Sequence, residues 1–171
     1  MSDALAITFE TAGVTDLDTM AELWVRAHAV RSIVTTVDVA ATRDILRARI
    51  GAAGAWFVLV RERELVVGMA HGLPARERDG EGDVVPGLMH LSMVAVDPDH
   101  WGRGIGYQLT EHALRRAQGS GFEKIQLWTH QTNLRARRLY ESLGFLLAGR
   151  EKRDERGESI VLYVLAFAPG S

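Results

Sequence analysis

The stretch Val94-Ala-Val-Asp-Pro-Asp-His-Trp-Gly-Arg-Gly-Ile-Gly106 decides how the chain reads. It closes an apolar run, Leu88 to Val96 (LMHLSMVAV), that reads as a strand ended by Asp97-Pro98. It leads into a helical pattern from about Ile105 to Gln118, broken by Gly119 and Gly121. Glycines at 102, 104 and 106 let the backbone approach a ligand and leave its amides uncovered. The helix start adds unpaired amides and a positive dipole end at the same place. The combination describes an anion site, with a diphosphate as the natural guest. A P-loop is excluded, because Gly-Ile-Gly-Tyr stands where Gly-Lys-Ser/Thr is needed. A dinucleotide fingerprint starting at Gly102 needs a glycine at position 107, which is Tyr107. Spacing alone leaves open a tight strand-to-helix connection with no ligand.

Around this turn the pattern alternates strands and helices. Leu5 to Glu10 reads as a strand, and Thr15 or Asp16 caps a helix with Leu17, Met20, Leu23, Trp24 and Ala27 on one face. Asp38 to Ile50 reads as a second helix, ended by the Gly51–Gly54 cluster. Trp56 to Arg61 and Leu65 to Leu73 read as a hairpin across Glu62-Arg63-Glu64, and Pro74 to Gly87 as a loop. After the turn come a strand at Glu123 to Thr129, a helix at Asn133 to Leu143 and a hairpin from Phe145 to Arg150 and Ser159 to Phe167. The strands on either side of the glycine turn should be parallel neighbours with a right-handed crossover, and the flanking hairpins antiparallel. This predicts an α/β chain, residues 1–171 as one domain, with a mixed sheet.

Composition bounds the function. A chain of 171 residues with 47% hydrophobic and 25% charged residues is ordinary for a globular domain. The net charge of -2, with no basic excess, argues against nucleic acid as a partner. Without cysteine there are no disulfides, thiolate catalysis or Cys-based metal sites. No apolar stretch is long enough to span a membrane, and no secretory signal pattern opens the chain, so a cytoplasmic location is expected. The six histidines show no metal-ligand spacing, so no metal is expected.

The glycine stretch resembles the coenzyme A-binding motif of the GNAT superfamily, the Gcn5-related N-acetyltransferases: a strand, then Gln/Arg-x-x-Gly-x-Gly/Ala, then a helix. Downstream, Asn133-Leu-Arg-Ala-Arg-Arg-Leu-Tyr-Glu-Ser-Leu-Gly-Phe145 is similar to the family segment Asn-x-x-Ala-x-x-Leu-Tyr…Gly-Phe. One departure is Trp101, at the position usually held by Gln or Arg. The resemblance implies a mostly antiparallel, twisted sheet of about seven strands flanked by about four helices, with one splayed parallel pair. It implies acetyl-CoA as co-substrate, its pantothenate arm pairing with backbone at Val94, Ala95 and Val96. The diphosphate would sit on amides of Gly102, Arg103, Gly104, Ile105, Gly106 and Tyr107. Asn133, Ala136 and Arg138 would meet the coenzyme from the second motif, with Arg103, Arg135 and Arg137 as further phosphate partners. The implied activity is acetyl transfer to a primary amine of a small molecule. A protein or peptide acceptor and a non-catalytic acyl-CoA sensor stay open, as does a homodimer.

The reaction needs a proton taken from the ammonium and one given to the leaving thiolate. By position in the motif, Tyr140 is the acid; a tyrosine with a pKa of about 10 keeps its proton at neutral pH. His90 is the first candidate for the base, at a strand position where family members often carry Glu. Strand alternation puts His90, Ser92, Val94 and Val96 on one face, unless a bulge breaks the parity. His71 and His130 are the rivals, while His28 and His112 read as helix-surface residues. The acceptor region is expected between Trp24 and Asp38, including His28 and Arg31. The acidic residues Glu77, Asp79, Glu81 and Asp83 either greet a cationic substrate or form an ordinary solvated loop.

Overall fold

The computed structural model describes residues 6–30 and 37–169. Seven strands form one sheet in the order β1-β2-β3-β4-β5-β7-β6. They are β1 (Ile7–Thr11), β2 (Trp56–Glu62), β3 (Leu65–Arg76), β4 (Val84–Val96), β5 (Lys124–His130), β6 (Leu146–Arg153) and β7 (Ser159–Ala166). The helices are α1 (Leu17–Ala29), α2 (Val39–Ile50), the single turn α3 (Glu77–Gly80), α4 (Ile105–Gly119) and α5 (Leu134–Ser142). The pair β4–β5 is parallel; β1–β2, β5–β7 and β6–β7 are antiparallel. Among the described residues no helix is long and apolar enough to cross a membrane. The chain divides into two compact units, residues 1–71 with 93–110 and residues 72–92 with 111–171.

In the first unit, β1 lies along β2 with Ile7 opposite Glu62 and Thr11 opposite Val58. Helix α1 buries Leu17, Met20, Ala21, Leu23 and Ala27, the face its spacing predicts. These join Leu46 of α2 and Phe57, Leu59, Val66, Met69 and Ala95 of the strands in one apolar cluster, with Trp24 packed against it. Asp38 caps α2 by accepting from the Ala41 amide at 3.0 Å. Ile45 of α2 is half exposed, and Thr42 takes the buried place beside Leu46.

In the second unit, β5 pairs with β7 along its whole length, from Lys124 opposite Ala166 to His130 opposite Ile160. The parallel β4–β5 ladder covers Leu88 to His90 against Lys124 to Gln126, while β4 runs on to Val96 and β5 to His130. The segment predicted as a loop from Pro74 to Gly87 is half strand. β3 continues to Arg76 and β4 begins at Val84, joined across α3. The two prolines misled the sequence reading. A proline fits extended φ and loses only a ladder donor. β3 has twelve residues and β2 seven, so Pro74 lies beyond the reach of that hairpin partner.

Candidate active site

The glycine turn belongs to the first unit and is held by polar contacts. After Val96, Asp97 caps a single 3-10 turn, Pro98–His100, by accepting from the Asp99 amide at 3.0 Å. The Asp97 amide donates to Val67 O at 2.8 Å, and its carboxylate meets Arg26 at 3.0 Å. Trp101, the departure from the family pattern, donates its indole N–H to Val96 O at 2.9 Å and so ties the turn to the strand end. Gly102 and Gly104 then adopt φ of 78° and 77°, a region that costs other residues about 1–2 kcal/mol. A Cβ on either would meet nothing within 4 Å, so their role is conformational, not a response to crowding. Gln108 N donates to Gly104 O at 3.1 Å, which starts α4. The amides of Ile105, Gly106 and Tyr107 precede that bond, in the first turn where a helix has no acceptor of its own to offer. Ile105 is buried, Tyr107 is exposed, and Thr110 closes the turn by donating to Gly106 O at 2.8 Å.

Arg103 does not extend freely toward solvent. Its Nη2 lies 2.6 Å from Oε1 of Glu62, whose Oε2 is 3.0 Å from Nε2 of His100. The Arg103 hydrogen bond, helped by His100 against the opposing effect of burial, holds the Glu62 carboxyl below its ordinary pKa. Sequence reasoning missed Glu62 and His100. Glu62 stands in a Glu-Arg-Glu string that reads as a solvated hairpin tip, yet it is the last residue of β2 and is buried.

The second unit carries the remaining site residues. Asn133 is the N-cap of α5, its Oδ1 accepting from Ala136 N at 3.2 Å. Arg138 is exposed on that helix. Arg137 instead donates to Tyr163 Oη at 2.9 Å and to Gln131 O at 3.0 Å. The fully buried Tyr163 passes its proton toward Glu141 Oε1 at 2.6 Å. Burial, with the Glu141 contact, raises its pKa. Tyr140, 7% exposed, meets Phe145 edge-on at 5.7 Å between ring centroids and lies 6.4 Å from the Tyr163 ring. His90 is half-buried on β4, its Nδ1 3.5 Å from Nε2 of Gln126, its register partner on β5. Met93 has φ of 43°, so the strict alternation expected from His90 to Val96 is interrupted there, as a bulge would do.

The rival bases sit in different settings. His71, in the first unit, is 1% exposed and stacked on Phe57 at 4.2 Å. His130 lies at the end of β5, its Nε2 2.8 Å from Asp154 and 3.2 Å from Glu158. Burial opposes it, but the His130 hydrogen bond and the amides of Glu158 and Arg156 lower the Asp154 pKa. His130, Asp154 and Glu158 offer atoms within 4.8 Å of one another, a grouping that sequence spacing does not reveal. His112 on α4 is half-buried, and burial, then Arg115 and Arg116, lowers its pKa. In the expected acceptor region, His28 stacks on Trp24 at 3.9 Å, and Arg31 lies outside the described residues. Of the acidic residues from Glu77 to Asp83, Asp79 pairs with Arg150 at 3.2 Å and Lys152 at 3.3 Å. Both cations lie over the Trp128 ring.

Residues 17–145 match the acetyltransferase (GNAT) family. The chain belongs to the GNAT family. A mycothiol acetyltransferase of Mycobacteroides abscessus is 41% identical over 63 residues, covering 37% of this chain and 21% of that protein. The peptidyl-lysine N-acetyltransferase YjaB of Salmonella typhimurium is 33% identical over 78 residues, covering 46% of this chain and 50% of that protein. The aligned parts thus span from about a fifth to half the length of these GNAT relatives. Among solved structures, yncA of Salmonella typhimurium, described as an acetyltransferase with its cofactor acetyl-CoA, superposes with a TM-score of 0.73. It is 23% identical and covers 97% of this chain and 96% of that one.

Proposed function

We propose that the protein transfers an acetyl group from acetyl-CoA to a primary amine of a small molecule. The observation that carries this reading is the pair of left-handed glycines, 102 and 104, delivering the uncovered first turn of α4. Oriented amides at a helix start suit a diphosphate. Val94, Ala95 and Val96 supply strand backbone for the pantothenate arm. Asn133 keeps its Oδ1 in the cap of α5, so it serves the coenzyme as a donor through Nδ2. Of the arginines, Arg135 and Arg138 are exposed candidates for a phosphate, whereas Arg137 and Arg103 hold Tyr163 and Glu62.

In the proposed chemistry, the amine nitrogen attacks the thioester carbonyl carbon and the C–S bond breaks. His90 accepts the proton of the incoming ammonium, directly or through one water; Tyr140 donates its hydroxyl proton to the departing sulfur and regains a proton that the nitrogen sheds as the amide forms. The mycothiol acetyltransferase likeness supports a small-molecule acceptor. The peptidyl-lysine N-acetyltransferase likeness supports a second reading, a lysine side chain of a peptide. Free thiol release from acetyl-CoA, measured across a panel of small amines and lysine peptides, tests both. Release driven by small amines supports the first reading and release by peptides alone the second. Coenzyme binding without release for any amine makes the protein an acyl-CoA sensor.

A further inference from the structure

We propose that Glu62 is a positioning residue that clamps the coenzyme-binding turn through Arg103 and His100, an inference resting on the function proposed above. Gly102 and Gly104 have the widest backbone freedom of any residue type, and no packing surrounds the places where their side chains would stand. Crowding at the glycines themselves therefore does not select the left-handed conformations of this turn; their neighbours do, polar contacts among them. Glu62 supplies two of them. Its side chain is about a tenth exposed, and its two oxygens grip separate residues: His100 just before Trp101, and Arg103 between the two glycines. One carboxylate at the end of β2 thus holds the turn on both sides of Gly102. The Arg26–Asp97 pair and the Trp101–Val96 hydrogen bond fix its near end, where the strand stops. On the far side the Glu62–Arg103 pair works beside the Gln108–Gly104 hydrogen bond that starts α4. A charge-assisted, short contact of this kind is the stronger class of hydrogen bond. Arg103 also neutralises Glu62, whose bare charge would oppose a diphosphate in the same unit.

The clamp acts on coenzyme binding and not on the chemical step. In Glu62→Gln the shape is kept and the charge is lost. Coenzyme A affinity by calorimetry, and with it the KM for acetyl-CoA, should weaken about tenfold, while kcat at saturation stays within about twofold. Arg103→Gln should weaken affinity similarly. The double variant should lose no more than the worse single one, because both remove the same contact. Glu62→Asp, which keeps the charge, should recover part of the loss. Hydrogen exchange without coenzyme gives a readout independent of activity: amides 102–107 should exchange faster in Glu62→Gln, and in Glu62→Asp if the glutamine variant does not fold, with β1 and α1 unchanged. Unchanged affinity in a folded Glu62→Gln, additive losses, or unchanged exchange in the turn overturns the clamp. Wild-type protein that fails to bind coenzyme A overturns the proposed function itself, and the clamp with it.

Discussion

In the proposed reaction Tyr140 holds a proton until the thiolate leaves. The ring is buried against Phe145 and near Tyr163, so removing its hydroxyl leaves the packing intact. Tyr140→Phe should lower turnover about ten- to a thousandfold, the range of general acid catalysis, with coenzyme A affinity unchanged. Steady-state rates beside calorimetry check both halves; unaltered turnover makes Tyr140 a core residue. For His90 the decisive measurement is the pH profile under limiting amine. A base must be neutral to act, so the rate should rise from acid toward neutral pH. His90→Gln should remove that limb and cut the rate. A limb that persists and moves with the pKa of the amine instead assigns deprotonation to bulk water. His71 and His130 are less apt replacements: one is buried in a stack with Phe57, the other held between two carboxylates.

At the scale of elements, the glycine turn is the feature most exposed to backbone substitution. Gly104→Val puts a β-branched side chain at φ of 77° without a steric neighbour, so the damage is conformational. Acetyl-CoA should raise the melting temperature of the wild type by mass action, and this rise should vanish in Gly104→Val. A retained shift would mean that the diphosphate lies elsewhere. This turn and helix α5 were readable in the sequence because glycine spacing and the Asn133 cap are local signals. The β3–β4 hairpin was not, since Pro74 and Pro86 look like breaks where the chain only gives up a ladder donor. Glu62 was hidden for a different reason. Its partners, Arg103 and His100, lie far along the chain, and local charge patterning shows a solvated tip where the fold makes a buried clamp. The left-handed Met93 is likewise invisible to an alternation rule that assumes an unbroken strand.

At the scale of the whole molecule, three carboxylates among the described residues are held below their ordinary pKa: Glu62 by Arg103, and Asp79 and Asp154 by Lys152 with Arg150 and by His130, each against the opposing effect of burial. For each, the folded protein binds its proton less readily than the unfolded chain. Their contribution is therefore present above the ordinary values of 4.5 and 3.8, and it is lost as pH falls through the lower folded values. Melting temperature should ease downward from about pH 6.5, where burial makes His112 resist its proton, and drop more steeply below about pH 4. Glu62→Gln should make that acid drop shallower; an identical drop in the variant would place the lability in other groups.

Trp101 carries a consequence of a spectroscopic kind. Its indole N–H is anchored to the carbonyl of Val96, one residue before the capped turn begins and next to the first left-handed glycine. The chain has four tryptophans; Trp56 is buried and Trp128 lies beneath two cations. Trp24 packs against the core, so with coenzyme in the turn, as proposed, Trp101 is the indole expected to respond. Its emission, isolated as the difference between wild type and Trp101→Phe, makes the turn self-reporting, so that coenzyme arrival and departure become visible in real time without a dye.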